Sequence, residues 1–200
     1  MAFLRPSLPQ DTGPIVRGNG LYLRLPVPSD YVAWAELRAA SREHLVPFEP
    51  TWTRDELTRG AFRRRLRFYQ REQREDLGVS FLIFSAHDQS LMGGLTFSNI
   101  RRGVTQAASL GYWIGLPFAG QGHMTRAVAL AVSYGFGELR LHRLEAACLP
   151  HNTASVRVLE RNGFQHEGLA RRYLRIDGEW RDHLLFALLV DDPRPPIEAS

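Results

Sequence analysis

The chain has 200 residues, 44% of them hydrophobic, which is enough for one well-filled core and too few for two ordinary domains. Its longer apolar runs, such as Val79 to Ala86 and Leu184 to Val190, fall far short of the roughly 20 residues a membrane helix needs, and its single cysteine, Cys148, excludes an internal disulfide and fits a reducing cytoplasm. A formal charge of +4, from 25 basic and 21 acidic residues, favours anionic ligands and surfaces.

Met1 to Pro14 carries one arginine, no continuous apolar core and no cleavage-type end, so it reads as a loose tail and not as a signal peptide. The domain proper is placed at residues 15–190, with a second tail over 191–200. Leu21–Leu25 alternates like a strand and is broken by Pro26 and Pro28. Ser29 can cap a helix that carries Tyr31, Trp34, Ala35 and Leu37 on one face to about Arg42. His44–Pro50, with two prolines bracketing an aromatic and an acid, reads as an ordered loop. Thr53-Arg54-Asp55-Glu56 has the pattern of a capping box, so a long helix is predicted from Thr53 to about Glu75. Arg63, Arg64, Arg65, Arg67, Arg71 and Arg74 crowd that helix. Interleaved with Glu72, Glu75 and Asp76, they read as the solvated face of an amphipathic helix, with a weak ribosome- or RNA-facing surface as the alternative.

From Val79 the apolar period changes to that of strands: Val79–Ala86, Leu91–Ile100 and Ala107–Ile114, joined by turns. A helix over Thr125–Gly137, a strand over Arg143–Leu149 and a helix capped by Asn152 and ended by Asn162-Gly163 follow. Phe164–Arg175 and Glu179–Leu189 close the chain as a strand pair around Asp177-Gly178, a hairpin signal. The order predicts a single α+β domain: a mixed, mostly antiparallel, seven-stranded sheet with about four helices.

The most informative stretch is Phe118-Ala119-Gly120-Gln121-Gly122-His123-Met124-Thr125, a glycine-spaced loop that runs straight into a helix. Glycines let the backbone approach a ligand closely, and the unpaired N–H groups of a helix start favour an anion. The loop lacks the Lys-Ser/Thr ending of a nucleoside triphosphate site and the third glycine of a dinucleotide site. A different phosphorylated ligand is indicated.

Element order and loop together resemble the GNAT superfamily of acetyl-CoA-dependent N-acetyltransferases. A second block, Pro150-His151-Asn152-Thr153-Ala154-Ser155 with Asn162-Gly163-Phe164, is similar to that family's Asn-x-x-Ser helix and closing Gly-Phe. His44–Pro50, Gly111-Tyr112 and above all Tyr173-Leu174-Arg175-Ile176-Asp177-Gly178-Glu179-Trp180-Arg181-Asp182-His183 resemble the RimJ-type ribosomal-protein alanine N-acetyltransferases. The resemblance implies acetyl-CoA as cosubstrate, no metal, a cytoplasmic monomer or dimer, and an Ala-initiated ribosomal-protein N-terminus as acceptor. It implies that Ala119, Gly120, Gln121, Gly122, His123, Met124 and Thr125 hold the pyrophosphate through backbone N–H groups. It places Trp113 and Ile114 on a strand that splays from its neighbour to admit the pantetheine arm, and Asn152 on the pantetheine amide.

Acetyl transfer to an amine needs a neutral amine, a polarised thioester carbonyl and a proton for the departing thiolate. By the resemblance, a backbone N–H near Gly111–Ile114 polarises the carbonyl. The tyrosine that protonates the thiolate in many relatives is replaced by Leu159, so Ser155 is the expected donor. Glu49 is the expected base or amine-binding acid, with Tyr112 and His151 as further candidates. Tyr173 and His183 read as hairpin supports, and Cys148 reads as inert packing. Two other functions fit the sequence: acetylation of a small-molecule amine such as an antibiotic, polyamine or amino acid, and a non-catalytic ribosome-associated factor.

Overall fold

The computed structural model describes residues 13–194, so the reading of Met1–Pro14 as a loose tail falls outside it up to residue 12, as does that of the second tail from residue 195. Eight strands form one sheet in the order β1-β2-β3-β4-β5-β6-β8-β7. They are β1 (Ile15–Gly18), β2 (Leu21–Arg24), β3 (Val79–Ser85), β4 (Leu91–Arg101), β5 (Ala107–Ile114), β6 (Arg143–Cys148), β7 (Gln165–Ile176) and β8 (Glu179–Leu189). Five α-helices accompany them: α1 (Tyr31–Ala40), α2 (Arg42–Leu45), α3 (Arg59–Arg74), α4 (His123–Gly137) and α5 (Thr153–Arg161). This is the expected mixed α+β domain, with one strand and one short helix more than the sequence predicts.

The extra strand is β1, four residues paired along β2. Its alternation is too short to stand out in a sequence. The predicted first helix stops at Ala40 because Ser41 leaves helical geometry; its hydroxyl accepts the Leu116 N–H at 2.9 Å. His44 and Leu45, read as loop, belong to α2, and Val46–Phe48 is a turn of 3₁₀ helix. The capping box at Thr53 does not open α3. Thr53 Oγ1 turns to Asp55 Oδ1 at 2.9 Å, Glu56 is drawn into an ion pair with Arg65, and the helix starts after Thr58, whose Oγ1 accepts Ala61 N–H at 3.1 Å.

Side chains of the central strands alternate between two cores. Leu21, Leu23, Phe81, Ile83 and Phe97 face α4 and α5, while Tyr22, Leu82 and Phe84 face α1 and α3 with Trp34, Phe62 and Leu66. Both faces of β3 are therefore apolar, which is why it reads as a continuous hydrophobic run. Asn162 ties the two helices of the first face together, its amide donating to Thr125 O at 3.2 Å and Val158 O at 2.8 Å. Asp177 and Gly178, both at positive φ, close the β7–β8 hairpin as their sequence predicts. Among the described residues no helix is long and apolar enough to cross a membrane.

Candidate active site

The sheet opens at one place. β5 and β6 run parallel but pair only over Ala107–Ser109 and Arg143–Glu145; beyond these residues the strands diverge. Gly115 N–H donates to Met92 O at 2.8 Å, which fixes the phase of the β4–β5 ladder. By the alternation of an antiparallel pair, the peptide groups of Gly111 and Trp113 then turn to β4, and those of Tyr112 and Ile114 turn to the opening.

Two cavities meet at this opening, sharing Glu49, Gly111, Tyr112 and Trp113 in their walls. The first, about 680 Å³, lies on the α4–α5 side and runs from the glycine loop past Cys148 to Asn152 and Ser155. The second, about 530 Å³, lies on the α1–α3 side between Trp34, Arg38, Trp52, Arg65 and Tyr69. β5 thus separates two cavities, which gives one for each partner of a group transfer.

The first cavity is closed at one end by residues 119–125. Gly120 and Gly122 take φ of 73° and 78°, left-handed values that glycine adopts without strain, and Gly122 caps α4 from that conformation. The first N–H taken up by a helix carbonyl is that of Arg126, by Gly122 O at 3.1 Å. Those from Gly120 to Thr125 are open for an anion, whereas the Ala119 N–H, expected among the donors, closes the preceding turn on Leu116 O at 3.2 Å. Met124 sends its side chain into the core, and His123 accepts from Arg126 Nη2 on its Nδ1 at 2.6 Å. Burial, then the Arg126 charge, hold the His123 imidazole below its ordinary pKa, so the ring is neutral at pH 7. Arg157 and Arg161, on the exposed side of α5, also border this cavity. Neither was singled out in the sequence, although their i, i+4 spacing behind Asn152 is the signal that could have found them.

At the other end Asn152 caps α5, its Oδ1 accepting Ser155 N–H at 3.1 Å. The Ser155 hydroxyl lies 2.8 Å from the Tyr112 phenol, bringing two of the expected catalytic residues into one hydrogen bond across the opening. Burial pushes the Tyr112 phenol well above its usual pKa, so it stays protonated. The Cys148 thiol is likewise raised, chiefly by burial, and is a protonated neighbour and not a thiolate. Leu159, at the position where many relatives carry a tyrosine, is fully buried in the core.

Glu49 stands where the two cavities join. Arg38 Nη1 and Nη2 donate to its two carboxylate oxygens at 3.1 and 2.5 Å, and Trp52 Nε1 donates at 2.7 Å. The Arg38 guanidinium is itself stacked among Trp34, Trp52 and Trp113, at 5.6, 4.4 and 4.9 Å from their rings. Trp113 therefore packs its indole on the α1–α3 side, while its neighbour Ile114 packs on the α4–α5 side. The β7–β8 turn reaches over to this loop, Asp177 N–H donating to Glu49 O at 2.9 Å. His151 rests against Phe48 at 5.9 Å on the rim, and Tyr173 against the buried His183 at 6.0 Å.

A strand pair parted over an anion-binding helix start, with a hydroxyl pair at the gap and a second cavity behind it, defines an acyltransferase that draws on a phosphorylated acyl carrier. Residues 20–165 match the acetyltransferase (GNAT) domain family, and the chain belongs to it. It is 37% identical to a probable N-acetyltransferase, YjcK, of Bacillus subtilis over 89% of this chain and 98% of that one. It is 36% identical to the ribosomal protein uS5-alanine N-acetyltransferase of Escherichia coli over 83% of this chain and 87% of that one. Among solved structures, Mycobacterium smegmatis RimJ in complex with CoA-disulfide superposes with a TM-score of 0.82 at 34% identity, covering 89% of this chain and 87% of that one. The protein is an acetyl-CoA-dependent N-acetyltransferase. The first cavity suits that cosubstrate: open N–H groups and arginines for the phosphates, an unpaired strand edge for the pantetheine amides, and the hydroxyl pair where the arm ends.

Proposed function

We propose that the chain acetylates the N-terminal α-amine of a ribosomal protein that begins with alanine, in the cytoplasm, by direct attack of the amine on the thioester. The observation that carries this reading is the acceptor-side cavity, which opens on the same Tyr112 edge as the coenzyme cavity and is walled by Trp34, Trp52 and the Arg38–Glu49 pair. A cavity so lined fits an extended backbone with a small first side chain. The relatedness to the uS5-alanine enzyme supports the same acceptor.

Acetyl-CoA supplies the activated acyl group; this chain's residues supply position and protons. The N–H groups of Tyr112 and Ile114 face the opening and donate to the thioester carbonyl as charge grows on it. An α-amine has an ordinary pKa near ~8, so a fraction is already neutral at pH 7 and Glu49 need only hold the amine. Both Glu49 oxygens are engaged by Arg38 and Trp52, an arrangement that favours binding over proton abstraction. As the new N–C bond forms and the C–S bond breaks, Ser155 donates its hydroxyl proton to the sulfur and takes one from the Tyr112 phenol, and the proton released by the acylated nitrogen returns through water to the phenol, so that the amine's proton ends, in net, on the thiol. Asn152 fixes Ser155 through the backbone and orients the pantetheine amide. The loop anchors the pyrophosphate through the N–H groups from Gly120 to Thr125.

The test is steady-state release of free CoA with a short Ala-initiated ribosomal-protein peptide, its N-terminally blocked twin and spermidine as parallel acceptors. Turnover with the free peptide alone is expected. Turnover with spermidine alone would transfer the function to small-molecule amines, and none with any acceptor would favour a non-catalytic role at the ribosome.

A further inference from the structure

α3 has two faces with different surroundings. On its inner side Phe62 and Leu66 are buried, and Arg65 and Tyr69 form part of the acceptor cavity wall. On its outer side Arg59, Arg63, Arg67 and Arg71 recur at four-residue spacing, and Arg74 lies beside them. At 3.6 residues per turn these five fall within about a third of the helix circumference, in a row about 22 Å long. No carboxylate stands in that arc. Asp55 and Glu56 are taken by Arg64 and Arg65, off the row. Among the described residues Arg63, Arg67 and Arg74 meet no carboxylate, and Arg71 reaches Glu72 only at 4.0 Å. Like charges at i, i+4 oppose helix formation, and the row is relieved only at Arg59, which lies 4.5 Å from the Tyr31 ring, and at Arg71. At its edge Phe68 is 48% exposed, with the Arg71 guanidinium 5.4 Å from its ring.

We infer that this row is a docking surface for the phosphate backbone of an RNA. A guanidinium roughly every 6 Å along a rigid helix meets a polymer whose charges also repeat, and the planar fork suits phosphate oxygens. The exposed Phe68 ring offers an unpaired base a stacking partner. Because the same helix walls the acceptor cavity, RNA held on its outer side brings a protein N-terminus emerging beside that RNA to the cavity. The inference rests on the ribosomal acceptor proposed above, but the surface is measured without acetylation.

Fluorescence anisotropy of the full-length protein with a labelled RNA hairpin of about 20 nucleotides, bearing a single-stranded flank, tests it over roughly 50 to 200 mM KCl. The triple variant Arg63→Gln, Arg67→Gln, Arg74→Gln is compared with a charge-matched control, Arg140→Gln, Arg171→Gln, Arg172→Gln, and with a polyglutamate probe. The row variant should bind RNA at least about tenfold more weakly and lose about two to three from the salt slope, while the control changes less than about threefold. Its kcat/KM on the free Ala-initiated peptide should stay within about twofold of wild type, since none of the three residues touches either cavity. Equal losses in the two triple variants, or polyglutamate binding as tight as RNA binding, would overturn the inference. A row-specific loss of RNA binding in a protein that acetylates no peptide would leave the surface standing and remove the acceptor reading.

Discussion

The two cavities on either side of β5 are built by different means. The coenzyme side is made of main chain: a loop, a strand edge and a helix start, each contained in a run of a few residues between Tyr112 and Thr125 or between Cys148 and Ser155. The acceptor side is made of side chains from Arg38, Glu49, Trp52, Glu56 and Arg65, which meet only because α1, α3 and the 3₁₀ turn pack together. A main-chain site tolerates changes of side chain but not of backbone conformation. A site of paired charges fails when one partner goes. The differences expected between variants of the two sides follow from that contrast.

The largest effect should come from Arg38→Ala. It strips the paired guanidinium from a carboxylate whose side chain is 19% exposed, and it empties the space among three indoles. Removing one member of a buried pair costs about 3–5 kcal/mol, a large part of a domain's stability. Urea unfolding measures it, and Arg38→Lys, which keeps the charge, should lose less. In whatever fraction folds, affinity for acetyl-CoA should stay within about twofold. A parallel collapse of coenzyme binding would mean that the two sides are one unit.

Ser155→Ala should come next, lowering kcat by about a hundredfold, the lower range for losing a positioned proton donor. The Asn152 Oδ1 accepts from the Ser155 backbone N–H, so α5 keeps its start and the loss is chemical, not structural. Tyr112→Phe should cost less, about tenfold, because water can return the proton to Ser155. If Ser155→Ala instead raises KM with kcat unchanged, Ser155 serves binding alone.

The same contrast explains what could be read in the sequence. Gly120-Gln121-Gly122, Asn152 with Ser155, and Asp177-Gly178 are local patterns whose geometry follows from adjacent residues, and the structure has them as written. The β3 to β8 strands were legible for a similar reason, their periods being long enough to register. Thr53–Glu56 misled because a capping pattern is local while Glu56 answers to Arg65, nine residues on. Ser41 broke α1 through Leu116, 75 positions away. The Arg38–Glu49 pair was invisible for the same cause: Glu49 could be picked from its loop, but its partner sits on a helix where one more arginine carries no signal.

Gly122→Ala should have a moderate effect confined to the coenzyme side. A Cβ there meets nothing within 4 Å, so the change acts through the left-handed φ of 78°, worth about 1–2 kcal/mol to an L side chain. Relaxing that strain turns the N–H groups away from the anion, and the acetyl-CoA Kd should rise by about tenfold while the peptide KM holds. An unchanged Kd would show that arginines, and not main chain, carry the phosphate.

The smallest effect is a pH dependence, and it too belongs to one side only. His123 is part-buried and its Nδ1 accepts from Arg126, so the folded ring resists the proton that an unfolded histidine takes near its ordinary value of 6.5. Below that value the unfolded state binds more protons than the folded one, and stability falls as pH drops; above it the two states agree and the contribution is flat. His123→Gln keeps an acceptor at that position without the titration. Urea midpoints of the two proteins should run parallel above pH 7 and diverge below about 6.5, with wild type losing more. Asp76 and Glu167, whose carboxyls Arg102 and Arg143 hold below their usual 3.8 and 4.5, lose their stabilising charge at lower pH and do not overlap this window. Because the ring is only part-buried, salt should shrink the share of the divergence that comes from the Arg126 charge. If the curves stay parallel down to pH 5, the His123 ring is neither buried nor held by Arg126 in solution, and the open end of α4 is shaped by the glycines alone.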